Sequence, residues 1–342
     1  ALAAGEVDIS FGGDQGGSIR VPAAYCGVVG LKPTFGLVSH FGVTFGAEQS
    51  LDHIGPMGRR VDDVAAALQA VAGYDPYDPR QSRMVPESLD ALSHLGDGVK
   101  GMRIGILEEG FDEPAEADVT DGVLEAVEVL ARAGAIMTKV TIPEHRSVNV
   151  VYAALALEGA RSRLDWGLGG AGSKTYYPAS VIAAVDTMWR EHADGFPPRT
   201  KLNHMIAAMS QRRYHGAVYA KAHNLRPTFT RAYDAALARV DVLAMPTVRT
   251  VAPPVEEPPT DRLRAVDANL RRNWIVLPRT YNTKPANYTG HPALAIPCGR
   301  IDGLPISLQL IGRHFDDALL LRAAYTYQQS VDWDRLIGVR VE

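Results

Sequence analysis

The chain has 342 residues, 46% of them hydrophobic and 22% charged, and carries a net charge of −4. This is an ordinary globular composition with material for one large domain or two small ones. Lys/Arg clusters stay short and apolar runs fall well below the roughly 18 residues of a membrane span, which excludes nucleic acid and membranes as expected partners.

In chain order, Ala1 to Glu6 reads as the back half of a helix, because no capping residue precedes its apolar run. Val7 to Phe11 alternates apolar and polar side chains and predicts a short strand. It delivers the chain into Gly12-Gly13-Asp14-Gln15-Gly16-Gly17-Ser18-Ile19-Arg20-Val21-Pro22-Ala23, in which four glycines surround one acid and one serine and the run stops at a proline. Glycines at that density let successive backbone N–H groups turn inward and form a concave nest for negative charge. A serine at its end has the context of a nucleophile. If Ser18 Oγ adds to a carbonyl, the N–H groups of Gln15, Gly16, Gly17 and Ser18 itself are placed to receive the oxyanion. Asp14 and Arg20 flank the nest with opposite charges and are expected to hold its shape. Cys26 has no adjacent cation to stabilise a thiolate and reads as a small buried hydrophobe. With Cys298 it makes two widely spaced cysteines, which suits a reducing cytoplasm better than a disulfide framework.

Val28 to Pro33 closes this loop, and Lys32 is weighed as a general base; a working base there would need strong burial to lower its pKa. Phe35 to Gln49 is expected to be a loop near the site mouth. Asp52-His53 invites a Ser-His-Asp triad, but a lone histidine before a helix reads better as a hydrogen-bonded structural group. Val61 to Gly73 is helical, with acids in its first turn and a glycine stop. Tyr74 to Leu95 is Pro-rich and polar, a surface excursion. Met102–Leu107, Val119–Ala133 and Ala135–Ile142 read as strand, helix and strand, a βαβ unit with a parallel pair. Gly105 starts no dinucleotide fingerprint.

Residues 144–235 turn helical and carry Trp166, Trp189 and tyrosines 152, 176, 177, 214 and 219, the composition of an insertion that roofs a pocket for an uncharged substrate. Gly167 to Gly172 lacks the lysine and strand of a phosphate loop and reads as a mobile lid. Arg226 to Arg239 predicts a helix leading into a buried strand, Val240 to Thr247, followed by an exposed Pro-rich loop, Val251 to Pro259. Gly303 to Gly312 alternates as a strand. Asp316 and Asp317 then open a helix, Ala318 to Gln328; adjacent carboxylates diverge on a helix, so they read as its cap and not as a paired acid site. The histidines show no HxxxH or HExxH spacing, and no bound metal is expected.

Gly13 to Ala23, continued through Gly27, Gly30 and Lys32-Pro33-Thr34, resembles the signature of the amidase signature family of serine hydrolases. Asn287 to Gly299 and Gly303 to Gly312 resemble that family's C-terminal strands, and Gly312-Arg313-His314-Phe315-Asp316-Asp317 is most similar to the bacterial amidases associated with nitrile hydratases. The resemblance implies an α/β/α fold with a large, mixed, mostly parallel sheet, and makes residues 1–342 the C-terminal portion of one such domain. It assigns Lys32 a structural place. It further implies a Ser–cis-Ser–Lys relay whose serine and lysine precede Ala1, an acyl-enzyme at Ser18, and no cofactor. The expected partner is a small-molecule amide, aliphatic or aryl, with a homodimer as the association considered. Three alternatives stand beside a free amidase: the amidase subunit of an amidotransferase, an esterase or carbamate hydrolase, and an inactive fragment.

Overall fold

A computed structural model describes residues 1–43, 48–112, 116–166, 176–255, 257, 260–272 and 280–338. Eight strands are present among them: β1 (Ile9–Asp14), β2 (Val29–Lys32), β3 (His53–Gly58), β4 (Arg103–Leu107), β5 (Ile136–Val140), β6 (Val242–Pro246), β7 (Ala293–Ile301) and β8 (Leu304–Ile311). They form one sheet in the order β1-β3-β2-β7-β8-β6-β4-β5. The helices are α1 (Arg20–Cys26), α2 (Val61–Val71), α3 (Ala117–Arg132), α4 (His145–Trp166), α5 (Ala179–Glu191), α6 (Pro198–Tyr214), α7 (Ala217–Leu237), α8 (Arg262–Arg272), α9 (Lys284–Thr289), α10 (Asp317–Ser330) and α11 (Trp333–Leu336).

Side chains alternate across a strand, so a strand buried on both faces feeds two cores. In β6, Val242 and Ala244 join a cluster with residues of α2, α3 and α10, whereas Leu243 and Met245 join Tyr233, Ala236 and Leu237 of α7 on the other face. In β7, Leu294 and Ile296 face the first cluster, while Ala293 faces α7 and Ala295 faces Ala23 of α1. The sheet is thus sandwiched between helical layers, as the α/β/α expectation has it.

The sheet is mixed, but it is not mostly parallel. Five of the seven adjoining pairs among the described strands are antiparallel, and only β4 with β5 and β4 with β6 run parallel. The parallel pairs are those joined through helices, including the predicted βαβ unit β4-α3-β5. The β7–β8 hairpin turns on Asp302 and Gly303, both at positive φ (48° and 79°), the Asp-Gly chemistry of a tight two-residue hairpin.

Local readings shift at several points. Ala1 to Glu6 is turn, but Gly5 N–H to Leu2 O and Glu6 N–H to Ala1 O with Gly5 at φ 75° form the paired pattern with which helices end, in keeping with the reading of a helix's back half. The first strand starts at Ile9 and runs to Asp14, through the glycines. Pro22 does not stop the run: it sits in the first turn of α1, where its missing N–H is harmless. Pro227 lies inside α7, which begins at Ala217 and survives the lost bond through the packing of Phe229, Tyr233, Ala236 and Leu237. Asn287 to Thr289 belong to helix α9, not to a strand. Gly167 to Gly172 lies outside the described residues.

Candidate active site

The nest sits where β1 ends and α1 begins, with Ser18 exposed between them. Two glycines are obligatory here. Gly17 has φ 125°, and a Cβ on it would overlap Thr283 Oγ1; a Cβ on Gly16 would come within 2.5 Å of the Tyr152 hydroxyl. The segment can therefore lie only in this close-packed form without side chains at those two positions.

Asp14 and Arg20 hold the nest from beneath, both with fully buried side chains. Arg20 grips the carboxylate with Nε and Nη2, each at 3.0 Å. Its remaining donors reach Gln309 Oε1 at 2.8 Å and Asn287 Oδ1 at 2.7 Å. Asn287 in turn donates to the Asp14 carbonyl at 2.9 Å and to Asp14 Oδ1 at 2.8 Å. Asp14 also accepts from the amides of Gly17 (2.7 Å) and Ile19 (3.2 Å). Burial alone would raise the Asp14 pKa; the charge and hydrogen bonds of Arg20, helped by Asn287 and Lys32, overcome it and hold the carboxyl well below the usual carboxylate range.

This network changes the expected oxyanion set. The Gly17 amide is spent on Asp14, so the nest offers the amides of Gln15, Gly16 and Ser18. Their directions are fixed through the opposite ends of the same peptide planes, since C=O and N–H of a trans peptide point apart. The Tyr152 hydroxyl donates to the Gln15 carbonyl at 3.0 Å and so aims the Gly16 N–H; Thr283 Oγ1 donates to the Gly16 carbonyl at 2.7 Å and aims the Gly17 N–H at Asp14. The Gln15 side chain turns away, donating to Asp52 Oδ1 at 2.5 Å and to the Glu48 carbonyl at 3.3 Å.

Ser18 opens into a cavity of about 570 Å³ whose wall includes Gln15, Gly16, Gly17, Tyr152 and Lys284. Ala156 and Ala160 of α4 and Arg199 and Asn203 of α6 complete the far side. Residues of the helical segment line this cavity, and its wall is not the uncharged aromatic surface expected. Tyr152 is the aromatic residue in it, while Trp189 packs instead on Phe196 and His204. Lys284, singled out by nothing in the sequence, is buried, its ammonium lies 5.4 Å from the Tyr152 ring centre, and burial, with the charge of Arg199, lowers its pKa to about 8.

Lys32 and His53 lie elsewhere. Lys32 is fully buried in β2, donates to the Pro33 carbonyl at 3.0 Å, and is driven toward the neutral amine by burial and by the charge of Arg20. His53, on β3, pairs with Asp14 across the sheet and places Nδ1 2.8 Å from the Leu51 carbonyl. Neither bonds Ser18, and neither lines its cavity, so His53 takes the structural place read for it. Cys26 ends α1 as a half-buried free thiol off the cavity wall. The cap reading of the acid pair fails in detail: Asp316 makes no side-chain cap bond, and Asp317 turns inward to accept from the Thr34 amide (2.8 Å) and hydroxyl (2.6 Å). Burial raises its pKa to about 6, against the pull of these bonds and Lys32.

The partners that build the site, Tyr152, Thr283, Lys284, Asn287 and Gln309, come from more than 130 positions away and carry no local motif. The one accessible hint is the Asn-Tyr-Thr-Gly segment, whose polar residues sit among apolar neighbours that bury them.

A family model described as Amidase matches residues 1–321. Among curated relatives, a subunit of the Glutamyl-tRNA(Gln) amidotransferase of Geobacillus kaustophilus (strain HTA426) is 38% identical over 340 residues, 98% of this chain and 66% of its own length. This chain thus spans about two thirds of the length of the curated relatives it matches. Among solved structures, the corresponding Glutamyl-tRNA(Gln) amidotransferase subunit from Thermotoga maritima superposes with a TM-score of 0.75 at 28% identity, over 99% of this chain and 67% of that one. The native peptide amidase of Stenotrophomonas maltophilia does so with a TM-score of 0.73 at 30% identity, over 96% and 63%.

Proposed function

Because this chain belongs to the amidase (amidase signature) family, we propose that it carries the nucleophile of a serine amidase that hydrolyses a carboxamide to a carboxylate and ammonia or an amine. The observation that carries this reading is the exposed Ser18, at the mouth of a cavity and beside amides whose directions are fixed from behind by Tyr152 and Asp14. In this reading Ser18 Oγ adds to the amide carbonyl and gives up its proton, and the amides of Gln15, Gly16 and Ser18 receive the oxyanion. Collapse breaks the C–N bond and sends that proton to the leaving nitrogen. Water then attacks the Ser18 ester and restores the serine.

Activation of Ser18 is assigned to the serine–lysine relay that the resemblance implies. Lys32 and His53, which bond elsewhere and do not line the cavity, are not assigned as its base. Asp14 and Arg20 position the nest and move no proton. Residues 144–235 act as the roof within a single amidase-signature domain, supported by the α4 and α6 residues on the cavity wall. Two free thiols agree with a cytoplasmic setting, and no helix among the described residues is long and apolar enough to cross a membrane. Esters and carbamates share the same chemistry.

A second reading, that this chain serves as the amidase component of an amidotransferase complex, is favoured by its 38% identity to a protein described as one part of such an enzyme. Kinetics separate the two: a free-standing amidase, monomer or homodimer, turns over small amides without another chain, whereas a component of a complex does so only with its partner. In either case Ser18→Ala is expected to remove amide hydrolysis and leave the unfolding transition in place. Residual turnover within tenfold of the parent protein contradicts the assignment.

A further inference from the structure

Asp234 near the end of α7, His291 in the turn between α9 and β7, and His314 after β8 bring one ligand atom each to within 4.8 Å of one another. None of them lines the Ser18 cavity. His291 Nε2 stands 3.1 Å from Asp234 Oδ1, and His314 Nδ1 stands 3.8 Å from the same oxygen. The two imidazoles lie 4.0 Å apart, centre to centre.

The outer hydrogen bonds decide what these atoms present to one another. His314 Nε2 is 3.1 Å from the Thr289 carbonyl, which can only accept, so Nε2 carries the ring hydrogen and Nδ1 presents a lone pair. Thr289 Oγ1 donates its hydrogen to the Pro285 carbonyl, so at 2.8 Å it accepts from His291 Nδ1–H, and His291 Nε2 also presents a lone pair. Asp234 adds a carboxylate oxygen. In these tautomers three acceptors converge. Such a cluster wants a cation at its centre.

We propose that Asp234, His291 and His314 form a binding site for one divalent transition-metal ion of the zinc class, separate from the acyl-transfer site. Zinc bonds of about 2.0–2.2 Å to nitrogen and oxygen place tetrahedral ligand atoms roughly 3.3–3.5 Å apart, a spacing that the separations of 3.1 and 3.8 Å bracket. Each histidine already has the outer partner that zinc-bound imidazoles use to fix their tautomer. Two imidazoles with one carboxylate suit zinc better than calcium or magnesium. His291 is fully buried and Asp234 is half exposed, which leaves the fourth position open to water. A metal here ties the last helix of the roof segment to the ends of β7 and β8.

The test is calorimetric titration of the chelator-treated protein with Zn²⁺ alone, paired with thermal unfolding. The expected result is one ion per chain and a raised Tm, with affinity reduced at least tenfold in Asp234→Asn and in His314→Gln. These substitutions sit at half-exposed and partly exposed side chains, and Asp234→Asn keeps the proposal testable if His314→Gln impairs folding. Absence of saturable binding overturns the proposal, as does binding that is unchanged in Asp234→Asn.

Discussion

Replacing Asp14 by alanine tests the architecture beneath the nest. The carboxylate accepts from two N–H groups of Arg20, from Asn287 Nδ2 and from the amides of Gly17 and Ile19, all without access to water. Asp14→Ala leaves the guanidinium with only Gln309 and Asn287, and orphans two backbone amides. Removing one partner of a buried ion pair costs about 3–5 kcal/mol, and a buried amide left unpaired about 1–3 kcal/mol more. These costs overlap because water enters the hole, so at least ~3 kcal/mol is expected. Denaturant unfolding at constant m measures it. Arg20→Ala and the double substitution complete a cycle in which the double variant is less destabilised than the sum of the singles. Because the folded-state pKa of Asp14 lies below its ordinary value of 3.8, its contribution is present above about pH 4 and is lost as pH falls through the folded value. A loss under ~1 kcal/mol, or strict additivity, refutes the account.

Two further outcomes follow from the same geometry. Tyr152→Phe removes the hydroxyl that aims the Gly16 amide, and one hydrogen bond of about 1–1.5 kcal/mol converts to a roughly 5–10-fold fall in kcat with KM little changed; steady-state kinetics in which KM alone responds contradict the positioning role. Asp317 has the opposite pH sign to Asp14: its folded pKa of about 6 exceeds the ordinary 3.8, so the folded state holds the proton more tightly and stability falls as pH rises from about 4 to about 6. The change is on the order of 2–3 kcal/mol, and Asp317→Asn is expected to flatten it in unfolding midpoints taken across that range; an unaltered slope places the titration elsewhere.

The nest was legible because its chemistry is local: glycines, an acid, a serine and a base within nine residues can be read without knowing what surrounds them. Long periodic elements were equally readable, as α2, α3 and the β4-α3-β5 unit show. Strand direction was not, since β2 owes its antiparallel place beside β7 to segments that meet across more than 250 residues. The fate of the Gly17 amide was hidden for a similar reason. A glycine-rich loop predicts inward N–H groups, but which of them remains for a ligand depends on Asp14, Thr283 and Tyr152 in three dimensions. Pro22 marks no stop because the first turn of α1 tolerates it, and the helix expected from Arg226 begins earlier, at Ala217, because packing along α7 overrides Pro227. The Asp234–His291–His314 cluster leaves no trace in residue spacing, its members being drawn from the end of α7 and two separate connections.

The central claim is that Ser18 carries the acyl group, and intact-mass spectrometry after rapid quenching of the protein with an activated ester or amide tests it most directly. The account predicts one added acyl mass, located by peptide mapping on Ser18 and absent in Ser18→Ala. An acyl group mapped to Cys26, Lys32 or any other residue, or one that persists in Ser18→Ala, would contradict it.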